Sequence, residues 1–156
     1  MDYSVHLPSN FIRSQTHRLL PDWSVAVGSV LVVLQACPVP LLKVTAETER
    51  LKDELRDRFL EVARQVAEEL HSLGHQVEIF DPRTGLPIFS SPGSLRLDDV
   101  AVVRACLGYG AIDQGDCRVT LHPLWDSAVY PSVLLSSAVP EALQAIADRV
   151  LACHHS

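Results

Sequence analysis

At 156 residues the chain has the size of one domain, 1–156, large enough to bury a core without metal or disulfide staples. A formal net charge of -6, from 13 Lys+Arg against 19 Asp+Glu, argues against nucleic acid or an anionic membrane as the main partner, since both reward a basic face. Four widely spaced cysteines, Cys37, Cys106, Cys117 and Cys153, form no CxxC pair, which points to reduced thiols in a cytoplasmic protein rather than a secreted disulfide framework.

The first residues, MDYSVHLPSN, show no basic region followed by an apolar core, so no signal peptide is expected. Tyr3, Val5 and Leu7 alternate with Asp2, Ser4 and His6, the period of a short strand. Pro8-Ser9-Asn10 opens a helix to about Leu20, with Phe11, Ile12, Leu19 and Leu20 inward. Ser24 to Leu42 carries no charge over roughly a membrane-spanning length. Gly28, Pro38, Pro40 and the β-branched centre Val30 to Leu34 nevertheless favour a buried strand and a Pro-rich turn over a helix in lipid. That strand, Val25 to Cys37, is apolar on both faces and belongs at the centre of a sheet; Leu41 to Val44 is read as a short extended segment.

From Thr45 to Leu73 the spacing predicts one long helix. Leu51, Leu55, Phe59, Val62, Val66, Leu70 and Leu73 lie along one stripe, Thr45 caps the start and Gly74 follows the last turn. Lys52, Asp53, Arg56 and Asp57 on the other side read as a solvated face. Val77, Ile79 and Phe80 form the next strand and enter Asp81-Pro82-Arg83-Thr84-Gly85, where a side-chain acceptor, a fixed φ and a glycine make a turn. Leu86 to Phe89 is expected to return as a partner strand and Ser90 to Ser94 to be a flexible loop. Asp98-Asp99 begins a shorter helix through Leu107, both carboxylates serving its N-terminus, and Gly108 stops it. Strands at about Cys117 to His122 and Ala128 to Ser137 are joined through Pro123-Leu124-Trp125-Asp126. Pro140-Glu141 starts a last helix with Leu143, Ile146, Val150 and Leu151 inward, and Cys153 to Ser156 frays. The order of elements predicts an α+β domain, a mainly antiparallel sheet packed with helices.

Candidate chemistry is sparse. Cys117 and His122 stand five apart on a predicted strand, so their side chains face opposite ways and neither chelate a metal together nor form a Cys-His catalytic pair. No metal site and no catalytic residue is assigned. Two readings of Cys117 stay open: an inert buried hydrophobe, or a reactive thiol whose thiolate Arg118 favours and Asp116 opposes. Neither GxGxxG nor GxxxxGK[ST] occurs, so no nucleotide signature is present.

Two segments carry a family likeness. Gln76-Val77-Glu78-Ile79-Phe80-Asp81-Pro82-Arg83-Thr84-Gly85-Leu86 resembles the F-x-D-P-x-[S/T]-G-L segment of the methylmalonic aciduria and homocystinuria type D proteins, with Asp81, Pro82 and Gly85 as its turn. Gly115-Asp116-Cys117-Arg118-Val119-Thr120-Leu121-His122-Pro123-Leu124-Trp125 resembles that family's glycine-cysteine strand leading to a histidine and a Leu-Trp. The similarity covers nearly the whole chain and corresponds to the family's C-terminal folded domain, without the N-terminal extension of animal members. It implies a modified nitroreductase-like fold that has lost flavin binding, in a non-catalytic cobalamin-trafficking adapter. Such an adapter acts with a cobalamin-processing protein, routes the cofactor towards cobalamin-dependent enzymes and binds no cofactor stably alone. It also implies partner contacts at Gly115, Asp116, Cys117, His122 and Trp125, with a cysteine of the strand supplying a thiolate to cobalt. Animal members carry two adjacent cysteines after the glycine, the first of them implicated in that bond. Here Asp116 holds the first position and Cys117 the second, a departure that bears on the thiolate chemistry more than on the adapter role. The second reading is a small flavin-dependent, nitroreductase-like reductase acting as a homodimer, and the third a plain dimerisation module.

Overall fold

The run Ser29–Ala36 is buried at every position but Ala36, and a strand apolar on both faces needs cover on both. In the computed structural model, which describes residues 1–115 and 117–154, this strand, β2, has that cover. It lies between β1 (Asp2–His6) and β6 (Val129–Ser136), and the sheet is completed by β3 (Val77–Ile79) in the order β1-β2-β6-β3 with each ladder antiparallel. Leu31 and Val33 of β2 pack with α2 (Ala46–Ser72) and α4 (Pro140–Leu151) on one face. Val30, Val32 and Leu34 pack with α1 (Asn10–Leu19) and α3 (Asp99–Leu107) on the other. The period-two alternation of one strand therefore feeds two cores in a helix–sheet–helix sandwich. The fold is α+β, as the element order implies. A separate two-stranded hairpin, β4 (Ala111–Gln114) with β5 (Cys117–Thr120), stands beside the main sheet.

Helix α2 follows its stripe. Leu51, Leu55, Phe59, Val62, Val66 and Leu70 are buried, and Thr45 and Thr48 form a reciprocal capping box at its start. Leu73 falls beyond the last helical residue and is exposed. Phe11 is also exposed instead of inward: Ile12 beside it takes the centre of the buried face of α1. Leu7 lies past the end of β1 and is exposed too.

The short extended segment expected at Leu41 to Val44 has no ladder, and the partner strand expected at Leu86 to Phe89 contributes only the single bridge Phe80–Pro87. The reason in the second case is a competitor for the backbone donors. Glu78 of β3 is fully buried, and its carboxylate accepts the N–H groups of Ile79 (3.1 Å), Ile88 (3.1 Å), Phe89 (2.9 Å) and Ser90 (2.9 Å). Pro87 has no N–H to give. A buried charge of this kind is tolerable because every bond to it is charge-assisted.

Glu78→Gln places an amide nitrogen where the carboxylate now receives N–H donors. We expect a loss of about 3 kcal/mol in unfolding free energy, read from the urea midpoint; a midpoint equal to the parent's would refute this role for Glu78.

Candidate functional site

β3 ends at Ile79, opposite Leu134, whereas β6 continues back to Val129. Past the Phe80 N–H bond to the Val133 carbonyl, that side of β6 has no strand neighbour among the described residues. Pro131 falls in this stretch, where a missing N–H disrupts no second ladder. The chain turns away at Asp81, and a depression of about 410 Å³ is left, walled by residues 82–85, 96–100, 117–120 and 129–131.

The turn is built on Asp81. Its carbonyl accepts the N–H groups of Thr84 (3.2 Å) and Gly85 (2.7 Å), and its carboxylate accepts the Arg83 N–H (2.9 Å). Arg56 of α2 grips the same carboxylate as a fork, Nε to Oδ1 at 2.9 Å and Nη2 to Oδ2 at 2.8 Å. Arg83 pairs with Glu49 and lies 3.3 Å from Asp53. Of the α2 charges expected to form a solvated face, Arg56 and Asp53 therefore moor the turn, while Lys52 pairs with Glu49 and Asp57 with Arg56. Gly85 has φ +72°, and a Cβ there would come within 2.6 Å of the Leu97 carbonyl oxygen. Glycine is required at this point so that the turn can back onto the segment leading into α3.

Asp98 and Asp99, expected to share one task, divide. Asp98 caps α3 by accepting the Val100 and Ala101 N–H groups, and its Oδ2 pairs with Arg118 of β5 at 2.9 Å. Asp99 is buried with Oδ1 unpartnered among the described residues. The Thr120 and Tyr130 hydroxyls, on the same depression, are likewise buried and unpartnered. Burial above all, then the neighbouring charges of Asp98 and Asp81, pushes the Asp99 carboxyl well above the ordinary carboxylate range. Burial also raises the Tyr130 phenol, against the opposing pull of Arg83.

β5 finds its ladder partner in β4, an element absent from the sequence-based expectation, and not in β6. Gln114 pairs with Cys117, and Gly115, which follows β4, has φ +60°. Asp116 lies outside the described residues. Val119 packs with Leu41, Leu51, Leu55 and Tyr130, and Arg118 ties the hairpin to α3 through Asp98. Cys117, a free and half-buried thiol, lines the same depression as the Pro82–Gly85 turn.

His122 and Trp125 belong to a different place. The His122 backbone exchanges hydrogen bonds with Asp126, and its Nδ1 accepts the N–H groups of Leu124 (3.0 Å) and Trp125 (3.2 Å). Its ring stacks on Trp125 at 4.0 Å and meets the Tyr109 ring edge-on at 5.5 Å. His122 is buried, with Nε2 3.6 Å from Asp2 Oδ2, so it organises its turn from inside. The side chain offered to solvent here is Leu124, 83% exposed, which the sequence did not single out. Among the described residues no group of three or more His, Cys, Asp and Glu is arranged to hold a metal, and no helix is long and apolar enough to cross a membrane.

A family model described as methylmalonic aciduria and homocystinuria type D protein matches residues 1–148. The human cobalamin trafficking protein CblD is 24% identical over 131 residues, which cover 84% of this chain and 44% of that protein. Its chicken (Gallus gallus) counterpart is 21% identical over 142 residues, 91% of this chain and 48% of that one. The chain thus spans about half the length of the curated relatives it matches.

Asp99 makes stability depend on pH in an unusual direction. Its folded value is raised, so the native state holds a proton that the unfolded chain releases once pH passes the ordinary aspartate value, about 4. Stability then falls as pH rises, by at most about 1.4 kcal/mol per pH unit, up to the raised value. Asp99→Asn removes this term, so the melting temperature of the variant should exceed the parent's by a margin that widens from pH 4 towards neutrality, as differential scanning calorimetry will show. A constant margin across that range contradicts a buried neutral carboxyl.

Proposed function

The chain belongs to the methylmalonic aciduria and homocystinuria type D protein family, and from that premise we propose that it is a cobalamin-trafficking adapter. It presents the Gly115–Trp125 edge to a cobalamin-processing protein that carries the corrinoid, and through that complex passes the cargo towards cobalamin-dependent enzymes. In this reading the chain is non-catalytic and cytoplasmic, a nitroreductase-like scaffold that has lost its flavin, and it retains no corrinoid when alone.

One observation carries the reading. The two family-like segments, distant in sequence, meet at one depression with the free Cys117 thiol on its wall. A corrin supplies four equatorial nitrogens to cobalt, so a protein needs to add only a single soft axial donor. Cys117 provides that donor beside the hairpin turn, where a ligand held by another protein has access. Leu124, apolar and exposed on the turn that follows β5, gives the partner a separate hydrophobic contact.

The test is spectroscopic. Cob(II)alamin mixed with this protein and a cobalamin-processing partner should show visible and EPR signatures of thiolate ligation that Cys117→Ser abolishes. Identical spectra for parent and variant would remove Cys117 from the mechanism. Flavin co-purifying in stoichiometric amount would overturn the adapter reading itself.

A further inference from the structure

The two edges of the four-stranded sheet are treated differently. Beyond β3 the Ile88 N–H donates to the Ile79 carbonyl at 3.0 Å, Phe80 and Pro87 form a bridge, and the Glu78 carboxylate holds residues 88–90 in place. Beyond β1 the described residues supply no strand and no bridge. Every position of β1 is exposed or half-buried, whereas β2 beside it is buried at every position but its last.

Pairing decides which backbone groups face that open edge. The Cys37 N–H donates to the Ala128 carbonyl, and with the register this commits the odd-numbered residues of β2 to β6. Val30, Val32 and Leu34 therefore bond β1, opposite His6, Ser4 and Asp2. The N–H and C=O groups of Tyr3 and Val5 point off the sheet, with no hydrogen-bond partner among the described residues. Edge strands commonly carry a proline, a lysine or a bulge that turns a further strand away. Asp2–His6 contains neither residue, and its register with β2 runs without interruption.

The strand is also complementary to itself. Laid antiparallel on a copy about a two-fold axis through Ser4, Tyr3 meets Val5 of the partner subunit, and the outward N–H and C=O groups of both residues are satisfied. The same alignment sets Asp2 against His6 of the partner subunit at both ends of the ladder. Asp2, Ser4 and His6 share one face, where the His6 ring reaches the Ser4 hydroxyl at 2.7 Å and the half-exposed Asp2 carboxylate lies 3.6 Å from His122. Tyr3 and Val5 share the other face, packed against the α2–α4 core, and an aromatic residue opposite a β-branched one is a favourable cross-strand pair. A slip of two residues either way opposes Tyr3 to itself or Val5 to itself and takes Asp2 off His6. One alignment thus satisfies hydrogen bonds, charge and packing together, as an isologous contact requires.

We infer that a second copy of this chain covers β1 in that alignment, joining two four-stranded sheets into one continuous sheet. The inference goes beyond the adapter reading and does not rest on it. No β1 residue belongs to the walls of the Cys117 depression, so the contact and the thiolate chemistry occupy different parts of the molecule.

Sedimentation equilibrium of the full chain over a rising concentration series should show a monomer passing to a dimer. Val5→Pro removes an outward donor without touching the β1–β2 ladder, and should raise the dimer dissociation constant at least about tenfold, or 1.4 kcal/mol, with a far-UV spectrum matching the parent's. Asp2→Lys, a substitution at a half-exposed side chain, should weaken the dimer by a similar factor, and adding His6→Asp should restore it. Ser4→Cys sets two thiols on the axis, with Cα atoms about 4.5 Å apart, and mild oxidation should link them, as mass spectrometry of the reducible peptide will show. Leu7→Cys, exposed but away from the axis, should not link to itself.

A chain that stays monomeric, or Ser4→Cys without a link at that position, overturns the pairing. A dimer indifferent to Val5→Pro and to Asp2→Lys places the contact elsewhere and overturns it as well. If the Tyr3 and Val5 amides gain protection from hydrogen exchange only when a cobalamin-processing protein is added, the second copy is overturned as the occupant and the edge receives a strand of that protein. Cys117→Ser should leave each of these measurements unchanged, so failure of the adapter reading and failure of this contact register separately.

Discussion

The Asp81 carboxylate holds the architecture of the depression together. Burial pushes its carboxyl up, but the Arg56 fork and the Arg83 N–H outweigh that and hold it below the ordinary carboxylate range, so it stays charged. Its charge acts in two directions. Towards α2 it fixes the turn at Arg56, and the apolar stripe of α2 sets which side of the helix Arg56 occupies. Towards α3 it opposes a second negative charge and helps keep Asp99 protonated.

Glu78 sets the complementary limit. By gathering the backbone donors of residues 88–90 it holds that segment against β3 without a full ladder, while the turn at Asp81 ends β3 and leaves space beside Val129–Ser132. The two acidic residues, three apart, are opposite in function. One holds a segment against a sheet edge and the other begins a ligand-sized wall, and the family-like turn between β3 and Gly85 is the segment they jointly shape.

Much of this was legible. The stripe of α2, the two-sided burial of β2, the Asp81–Gly85 turn and the start of α3 all follow from period and capping chemistry. β4 was not, because Ala111–Gln114 contains a single strong apolar residue, Ile112; its signal was Gly115, free to adopt the positive φ that follows the strand. The mooring role of Arg56 and Arg83 was hidden because an exposed helix face and a face awaiting a distant carboxylate have the same composition. Glu78 and Asp99 illustrate the same limit: local pattern gives a charged residue a strand or helix-end position, while its burial is decided by elements far along the chain. His122 was singled out for chemistry, yet its five-residue turn uses the imidazole as a backbone acceptor, a demand no spacing rule displays.

The β4–β5 hairpin shares no ladder with the four-stranded sheet and joins the body through Val119 and the Asp98–Arg118 pair. Its tip, from Gln114 to Cys117, is therefore a detachable surface in evolutionary terms. Residues there can be exchanged, lengthened or charged to suit a different client without renegotiating the core, so recognition and folding are free to diversify at different rates on one scaffold.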